Sequence, residues 1–225
     1  MKSMKLGILA FGVLSLLLPG VSWAQETGSP SPEVPGIGEV MRGVQSFYDN
    51  VESYHADFRQ VSRNIALDQD QVETGHVYFL KPGKMRWDYL SPSPKYLISD
   101  GEQLWYYEPS YNQYAQFNLT DSELPVALRF LMGEGNLAED FSAVFSACDR
   151  EGAYCLSMTP ERATAHYHAL EFVVDAATYQ VVETTIIDAL GNRNRFEFTN
   201  VSTTDELPAE GFTFVPQPDM RQVVP

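Results

Sequence analysis

Catalytic motifs are missing from this 225-residue chain, and each gap removes a class of chemistry. There is no G-x-S-x-G nucleophile elbow, no H-E-x-x-H zinc helix and no phosphate-binding P-loop. Gly36-Ile37-Gly38 lacks a third glycine and opens no strand–helix unit, so it reads as linker. Asp68-Gln69-Asp70 lacks the ligand spacing of a calcium loop and reads as a solvated turn. Histidine is scarce, with four in all. His166 and His168 sit two apart with no third ligand nearby in sequence, a poor metal site. His55 and His76 are isolated in sequence and read as structural or exposed. The expectation is a protein with no catalytic residue, no metal and no cofactor. A lipid hydrolase would need a nucleophile beside a base, and the sequence nominates no such pair.

Basic residues are also few: 15 Lys+Arg against 30 Asp+Glu. Such an excess of negative charge excludes nucleic acid and anionic headgroups as direct partners. It reads first as solubility, and more sharply as a surface for a basic partner patch. There are two cysteines, Cys148 and Cys155. Gly152 between them marks a hairpin turn. Cysteines facing each other across such a hairpin lie about 4.5–5.5 Å apart, within disulfide reach. With no second cysteine pair, a zinc site there is not expected.

Only one stretch is continuously apolar, Leu6 to Leu18. Lys2 and Lys5 precede it, Pro19-Gly20 breaks it, and Ser22-Trp23-Ala24 places small residues where a signal peptidase cuts. Residues 1–24 are expected to be a cleaved signal peptide, since the run is short for a bilayer helix. Cleavage would remove Lys2 and Lys5 and no acid. Lys+Arg then falls from 15 to 13 against 30 Asp+Glu, a net charge of −17. No cysteine stands directly after the cut, where Gln25 is, so the protein should not itself be lipidated. Residues 25–38, rich in Pro, Gly and Ser, read as a flexible tether. Residues 39–225 are left as one domain.

Within that domain Ile37, Val40, Val44, Phe47, Tyr48 and Val51 recur at helical spacing. Strands follow. Tyr54, Ala56, Phe58 and Gln60 alternate with polar residues, and Gly75–Leu80 runs to a Pro82-Gly83 turn. Met85, Trp87 and Tyr89 share one face of the next strand, with Arg86 and Asp88 on the other. Lys95–Ser99 and Gln103–Tyr107 form a hairpin about Asp100-Gly101, and Tyr111–Asn118 is another strand. Leu124–Met132 returns to helical spacing and is apolar nearly all round, as core or as the cover of an apolar cavity. Strands resume at 141–147, 154–158, 169–174, 181–187, 193–201 and 212–215. The pattern predicts an α+β protein built on a long antiparallel meander, with its helices against the concave face. Aromatics are abundant, with 13 Phe, 12 Tyr and 3 Trp. They suit either an ordinary core or an apolar pocket.

Three blocks carry a resemblance. They are Val51-Glu52-Ser53-Tyr54-His55-Ala56-Asp57-Phe58-Arg59-Gln60, then Gly75 with Lys81-Pro82-Gly83-Lys84-Met85-Arg86-Trp87-Asp88-Tyr89 and Ser91-Pro92, then Ser99-Asp100-Gly101 with Leu104-Trp105-Tyr106-Tyr107 and Gln113. In order and spacing they resemble the LolA family of periplasmic lipoprotein carriers, with weaker similarity reaching Phe212-Thr213-Phe214. The resemblance implies an unclosed β-barrel whose helices form a lid over a hydrophobic cavity. It implies a periplasmic carrier, monomeric, without enzyme activity. Its partners would be the acyl chains of lipidated proteins, an inner-membrane ABC transporter that releases them, and an outer-membrane receptor that accepts them. Carried over, the acyl cavity would be lined by Met85, Trp87, Tyr89, Trp105, Tyr107 and Phe58. Leu124, Leu128 and Leu131 would belong to the lid. Lys81 stands where the family usually has an arginine that latches the lid, with Lys84 or Arg86 able to assist. Lysine offers one mobile ammonium in place of a rigid fork of donors. The alternative is a domain of the same fold that binds lipid or senses envelope stress without ferrying.

Overall fold

The computed structural model describes residues 35–118, 135–164 and 167–224. Leu124, Leu128, Leu131 and His166 therefore lie outside the described residues.

Helix α1, Ile37–Asp49, begins inside the expected tether, taking in its last two residues. It places Val40, Met41, Val44 and Tyr48 on one buried stripe, as the sequence spacing requires. Asn50 closes it, its side-chain amide donating to the Ser46 carbonyl at 2.8 Å. Tyr179 packs so tightly on its flank that a Cβ on Gly43 would meet that ring at 2.4 Å.

Among the described residues, twelve strands make one sheet. Strands β1 (Ser53–Asn64), β2 (Gln69–Leu80), β3 (Lys84–Ser91), β4 (Lys95–Asp100), β5 (Gln103–Glu108) and β6 (Gln113–Asn118) form a first meander. Strands β7 (Phe141–Phe145), β8 (Ala153–Pro160), β9 (Ala169–Asp175), β10 (Val181–Ile187) and β11 (Arg193–Ser202) form a second. Short turns make sequential strands antiparallel neighbours within each half. Pairing of β1 with β11 joins the halves, so the longest strands lie at mid-sheet. A two-residue strand β12, Arg221–Gln222, runs parallel to β6 and covers that edge. The result is an open, curved, almost wholly antiparallel sheet with few helices among the described residues.

Alternation then divides the residues between two faces. The inner face carries Tyr54, Ala56, Phe58, Val77, Phe79, Met85, Trp87, Leu156, Met158, Leu170, Phe172, Val174, Phe196 and Phe198, all in one buried cluster with the α1 stripe. At Gly75 the strands come too close for any side chain. A Cβ there would stand 1.9 Å from the Asp88 carbonyl oxygen, beside a register shift between β2 and β3.

The expected strand at 212–215 does not form. Ala209–Phe212 is a turn of 3-10 helix, and the segment runs over the outer face of the first half. The cysteines are bonded, Cys148 to Cys155, with their Cα atoms 5.2 Å apart. The tight hairpin expected between them is replaced by a longer connection. The β7–β8 ladder sets Phe145 against Leu156 and ends at Ser146, whose N–H donates to the Cys155 carbonyl. Cys148 thus lies beyond the ladder, and the disulfide closes the loop and not a facing strand pair.

Candidate functional site

The inner face grades from apolar to polar along its length. At one end, beneath α1, Tyr48, Tyr54 and Phe79 pack ring against ring, and the Tyr48 hydroxyl accepts from the Val181 amide at 3.3 Å. Burial pushes the Tyr48 and Tyr54 hydroxyls well above the usual phenol range. In the middle, Trp87 meets Phe58 at 4.9 Å, Phe196 at 5.4 Å and Phe79 at 6.1 Å. Tyr89 lies against Phe58 at 4.9 Å. Beyond Tyr89 the face turns polar. Lys95 sits 4.3 Å from the centre of the Tyr89 ring and donates to buried Glu73 at 2.7 Å. Gln60 donates to Asn194 at 2.8 Å. A pocket of about 590 Å³ follows, bordered by Ser62, Asn64, Leu67, Gln69, Gln71 and Asn194. Ile65, Leu67 and Leu190 stand exposed on the neighbouring hairpin tips, which Asn192 ties together by accepting from the Ile65 amide at 3.0 Å.

The apolar middle is filled by its own side chains. Met85 is 0% exposed, Trp87 2% and Phe58 3%. Two buried polar atoms among them have no hydrogen-bond partner, Trp87 Nε1 and Gln60 Oε1.

The helix over this face is held from its C-terminus. Lys81, just past β2, donates from Nζ to the Tyr48 carbonyl at 2.6 Å and to the Asp49 carbonyl at 3.0 Å. The last turn of α1 has no basic residue of its own. Lys81 therefore supplies the cation that the negative end of the helix dipole favours and adds a donor to two last-turn carbonyls, that of Tyr48 also accepting from the Val51 amide at 3.2 Å. The resemblance implied a latch from Lys81 to the lid of Leu124, Leu128 and Leu131, which lie outside the described residues. The acceptors seen belong to α1.

Four expectations need correction. Trp105 and Tyr107 are not on the face of Trp87. Trp87 pairs with Leu97, Leu97 with Tyr106, and Tyr106 with Ala115. Leu104 and Tyr106 therefore point inward, while Trp105 and Tyr107 point outward under Phe214, whose ring lies 6.4 Å and 5.2 Å away. Burial, then Glu108 and Glu73, pushes the Tyr106 hydroxyl up to about 12. Arg86 also faces outward. It donates to the Gly211 carbonyl at 2.9 Å and to Asp88 at 2.8 Å, so it fastens the C-terminal segment and cannot reach α1. Finally, His55 and His76 are not isolated, because β1–β2 pairing brings their rings to 6.2 Å. The sequence reading missed Tyr48, Leu104, Tyr106 and Gln60 as parts of the inner face. Gln60 had one available signal, its place in the same alternation as Phe58.

The described residues thus make an open curved sheet with one continuous apolar face and a helix clipped across its end. Comparisons with known proteins show which family this architecture belongs to. Residues 49–215 match the family model described as outer membrane lipoprotein carrier protein LolA, and the chain belongs to that family. An outer-membrane lipoprotein carrier protein of Bordetella avium is 27% identical over 171 residues, covering 76% of this chain and 80% of its own. One of Leptothrix cholodnii is 24% identical over 217 residues, covering 96% and 95%. Among solved structures, an uncharacterized conserved protein of Thermus thermophilus superposes with a TM-score of 0.54 at 14% identity, covering 84% of this chain and 98% of that one. That likeness concerns the fold alone. The family is one of carriers, not enzymes.

Proposed function

We propose that this protein carries lipidated proteins through the periplasm, from an inner-membrane ABC transporter to an outer-membrane receptor, after export and removal of residues 1–24. The observation that carries the reading is the inner face itself. It is contiguous and aromatic, it is covered at one end by α1, and α1 is held by two hydrogen bonds from Lys81. Each buried methylene is worth about 0.8 kcal/mol, so one sixteen-carbon chain costs roughly 12 kcal/mol when exposed to water. A carrier must cover that surface and still give it up.

In this reading the closed state fills the inner face with its own side chains, and loading opens it. Acyl chains enter among Met85, Trp87 and Phe58 on the inner face, with Leu124, Leu128 and Leu131 as the proposed lid. The polar pocket beside Asn194 takes the part of the cargo next to the acyl chains. Lys81 bonds α1 only in the closed form, so it favours release. The purified mature protein, incubated with inner-membrane vesicles carrying a lipoprotein, should draw that lipoprotein into a soluble one-to-one complex and pass it to outer membranes. If the lipoprotein stays with the vesicles, carriage is wrong. If it is bound but never handed on, the protein is a lipid binder or sensor of the same fold.

A further inference from the structure

On the outer face, away from the cargo surface, β1 and β2 bring four metal-ligating side chains together. His55 pairs across the ladder with Tyr78, and Asp57 with His76, so both imidazoles flank one carboxylate on the same face. One ligand atom from each of His55, Asp57 and His76 lies within 4.8 Å of the others. Asp205, from the segment after β11, adds a second carboxylate, its Oδ2 3.3 Å from His55 Nδ1. We propose that His55, Asp57, His76 and Asp205 form a binding site for a borderline divalent transition ion such as Zn²⁺.

The donor set decides the kind of ion. Two imidazole nitrogens and two carboxylates suit zinc and its neighbours, whereas calcium and magnesium prefer oxygen alone. Two neutral imidazoles and two carboxylates also balance a dication. Tetrahedral ligands at about 2.0–2.2 Å from the metal stand roughly 3.4 Å apart. His55 and Asp205 are already near that spacing at 3.3 Å, the His76–Asp57 hydrogen bond of 2.6 Å would open to admit the ion, and the remaining pairs would draw in from within 4.8 Å. All four are accessible, with side-chain exposures of 30% for His55, 35% for Asp57, 39% for His76 and 48% for Asp205.

Neighbouring groups orient the ligands, as outer-shell partners do in built sites. The Asn200 amide donates to the second oxygen of Asp57 at 2.6 Å. Asn200, and after it His76, hold the Asp57 carboxyl below the usual carboxylate range. The His55 ring stacks on Tyr78 at 4.7 Å and 9°, which restricts its rotation. Ser53 Oγ donates to the Asp205 carbonyl at 2.8 Å, holding the start of the C-terminal segment against the sheet. A bound ion would add a second fastening at that point and clip residues 205 onward to the outer face.

The test uses the mature protein after dialysis against a chelator, titrated calorimetrically with ZnCl₂ alone. One equivalent should bind with a micromolar or lower Kd, and CaCl₂ should give no heat. His55→Ala and His76→Ala should each weaken binding at least tenfold, and Asp205→Asn severalfold, while His168→Ala binds as wild type. X-ray absorption at the zinc edge of the wild-type complex should show two imidazoles in the first shell. That measurement needs no variant and decides the matter even if a histidine variant fails to fold. An all-oxygen shell, absence of one-to-one binding, or undiminished binding by folded His55→Ala and His76→Ala would overturn the site.

Discussion

The two halves of the sheet solve the same problem differently. In the second half, β7–β11, one face is core and the other largely meets water, with Thr185 and Cys155 buried among its polar side chains. Leu170, Phe172 and Val174 are buried along β9, while Glu171 alternates with them and pairs outward with Arg193. In the first half, β1–β6, both faces are covered. Met85 and Trp87 point into the main core, while Ile98 and Trp105 are buried on the reverse side beneath Phe212 and Phe214. A half-covered antiparallel sheet shows clean alternation, and a sheet covered on both sides does not. The C-terminal segment causes the difference, because Arg86, the Gly211 carbonyl and β12 hold it on the first half. Aromatic residues in the first half therefore do two jobs, and only some of them can face cargo.

The largest effect should come from the shared core. Phe172→Ala, at 1% exposure, should cost about 3–5 kcal/mol in urea unfolding. Phe214→Ala, on the reverse side of the first half, should cost only about 1–2 kcal/mol and leave cargo binding unchanged. Equal losses would mean that the C-terminal segment is as much core as the inner face, and the comparison would fail.

Next comes Gly75→Ala. With a carbonyl oxygen 1.9 Å from the new Cβ, strands β2 and β3 must separate, at about 3 kcal/mol. Gly152, in the loop closed by the disulfide, has φ +70° and open space around it. Gly152→Ala should cost only about 1 kcal/mol. Unfolding curves of the two variants side by side would show whether the close approach in the first half is as rigid as argued.

Lys81→Leu removes both bonds to the α1 carbonyls. The variant should take up cargo but release it to outer membranes about tenfold more slowly, a difference of roughly 1.4 kcal/mol between closed and loaded states. Lys81→Arg should restore closure, since a guanidinium can span two adjacent carbonyls. Wild-type release by Lys81→Leu, in a single-turnover transfer assay, would move the latch elsewhere.

Alkaline titration probes the inner face of the first half without mutation. Tyr48, Tyr54 and Tyr89 are raised by burial, and Tyr106 reaches about 12. Folding keeps these phenols protonated while the unfolded chain releases its protons near pH 10. Their contribution to stability is complete below pH 10 and falls as pH rises toward and beyond 12. Phenolate absorbance should show this group ionising only as the fold is lost. Full ionisation near pH 10 in the folded protein would mean that the face is wet.

The smallest effect is expected on the bare side of the second half. Glu171→Gln breaks an exposed ion pair with Arg193 and should change stability by less than about 0.5 kcal/mol. A larger loss in a thermal melt would show that this surface is more than solvated.

Local pattern fixed much of this molecule before any coordinates. The spacing of Val40, Val44 and Tyr48 determined a one-sided helix, and the alternation through Tyr54, Ala56 and Phe58, or Met85 and Trp87, determined which residues share a face. The bounds of Val181–Ile187 and the turns at Pro82-Gly83 and Asp100-Gly101 were equally readable, because period and turn chemistry are properties of neighbouring residues. Three things were decided only in three dimensions. One is which of two apolar faces in β5 is inner, since Trp105 and Leu104 are both apolar and only cross-strand register separates them. Another is the partner of Lys81, whose acceptors on α1 lie some thirty residues back in the chain. The last is the meeting of His55, Asp57, His76 and Asp205, because their distances depend on strand pairing and on where the C-terminal segment lands, and neither is encoded in any short stretch of sequence.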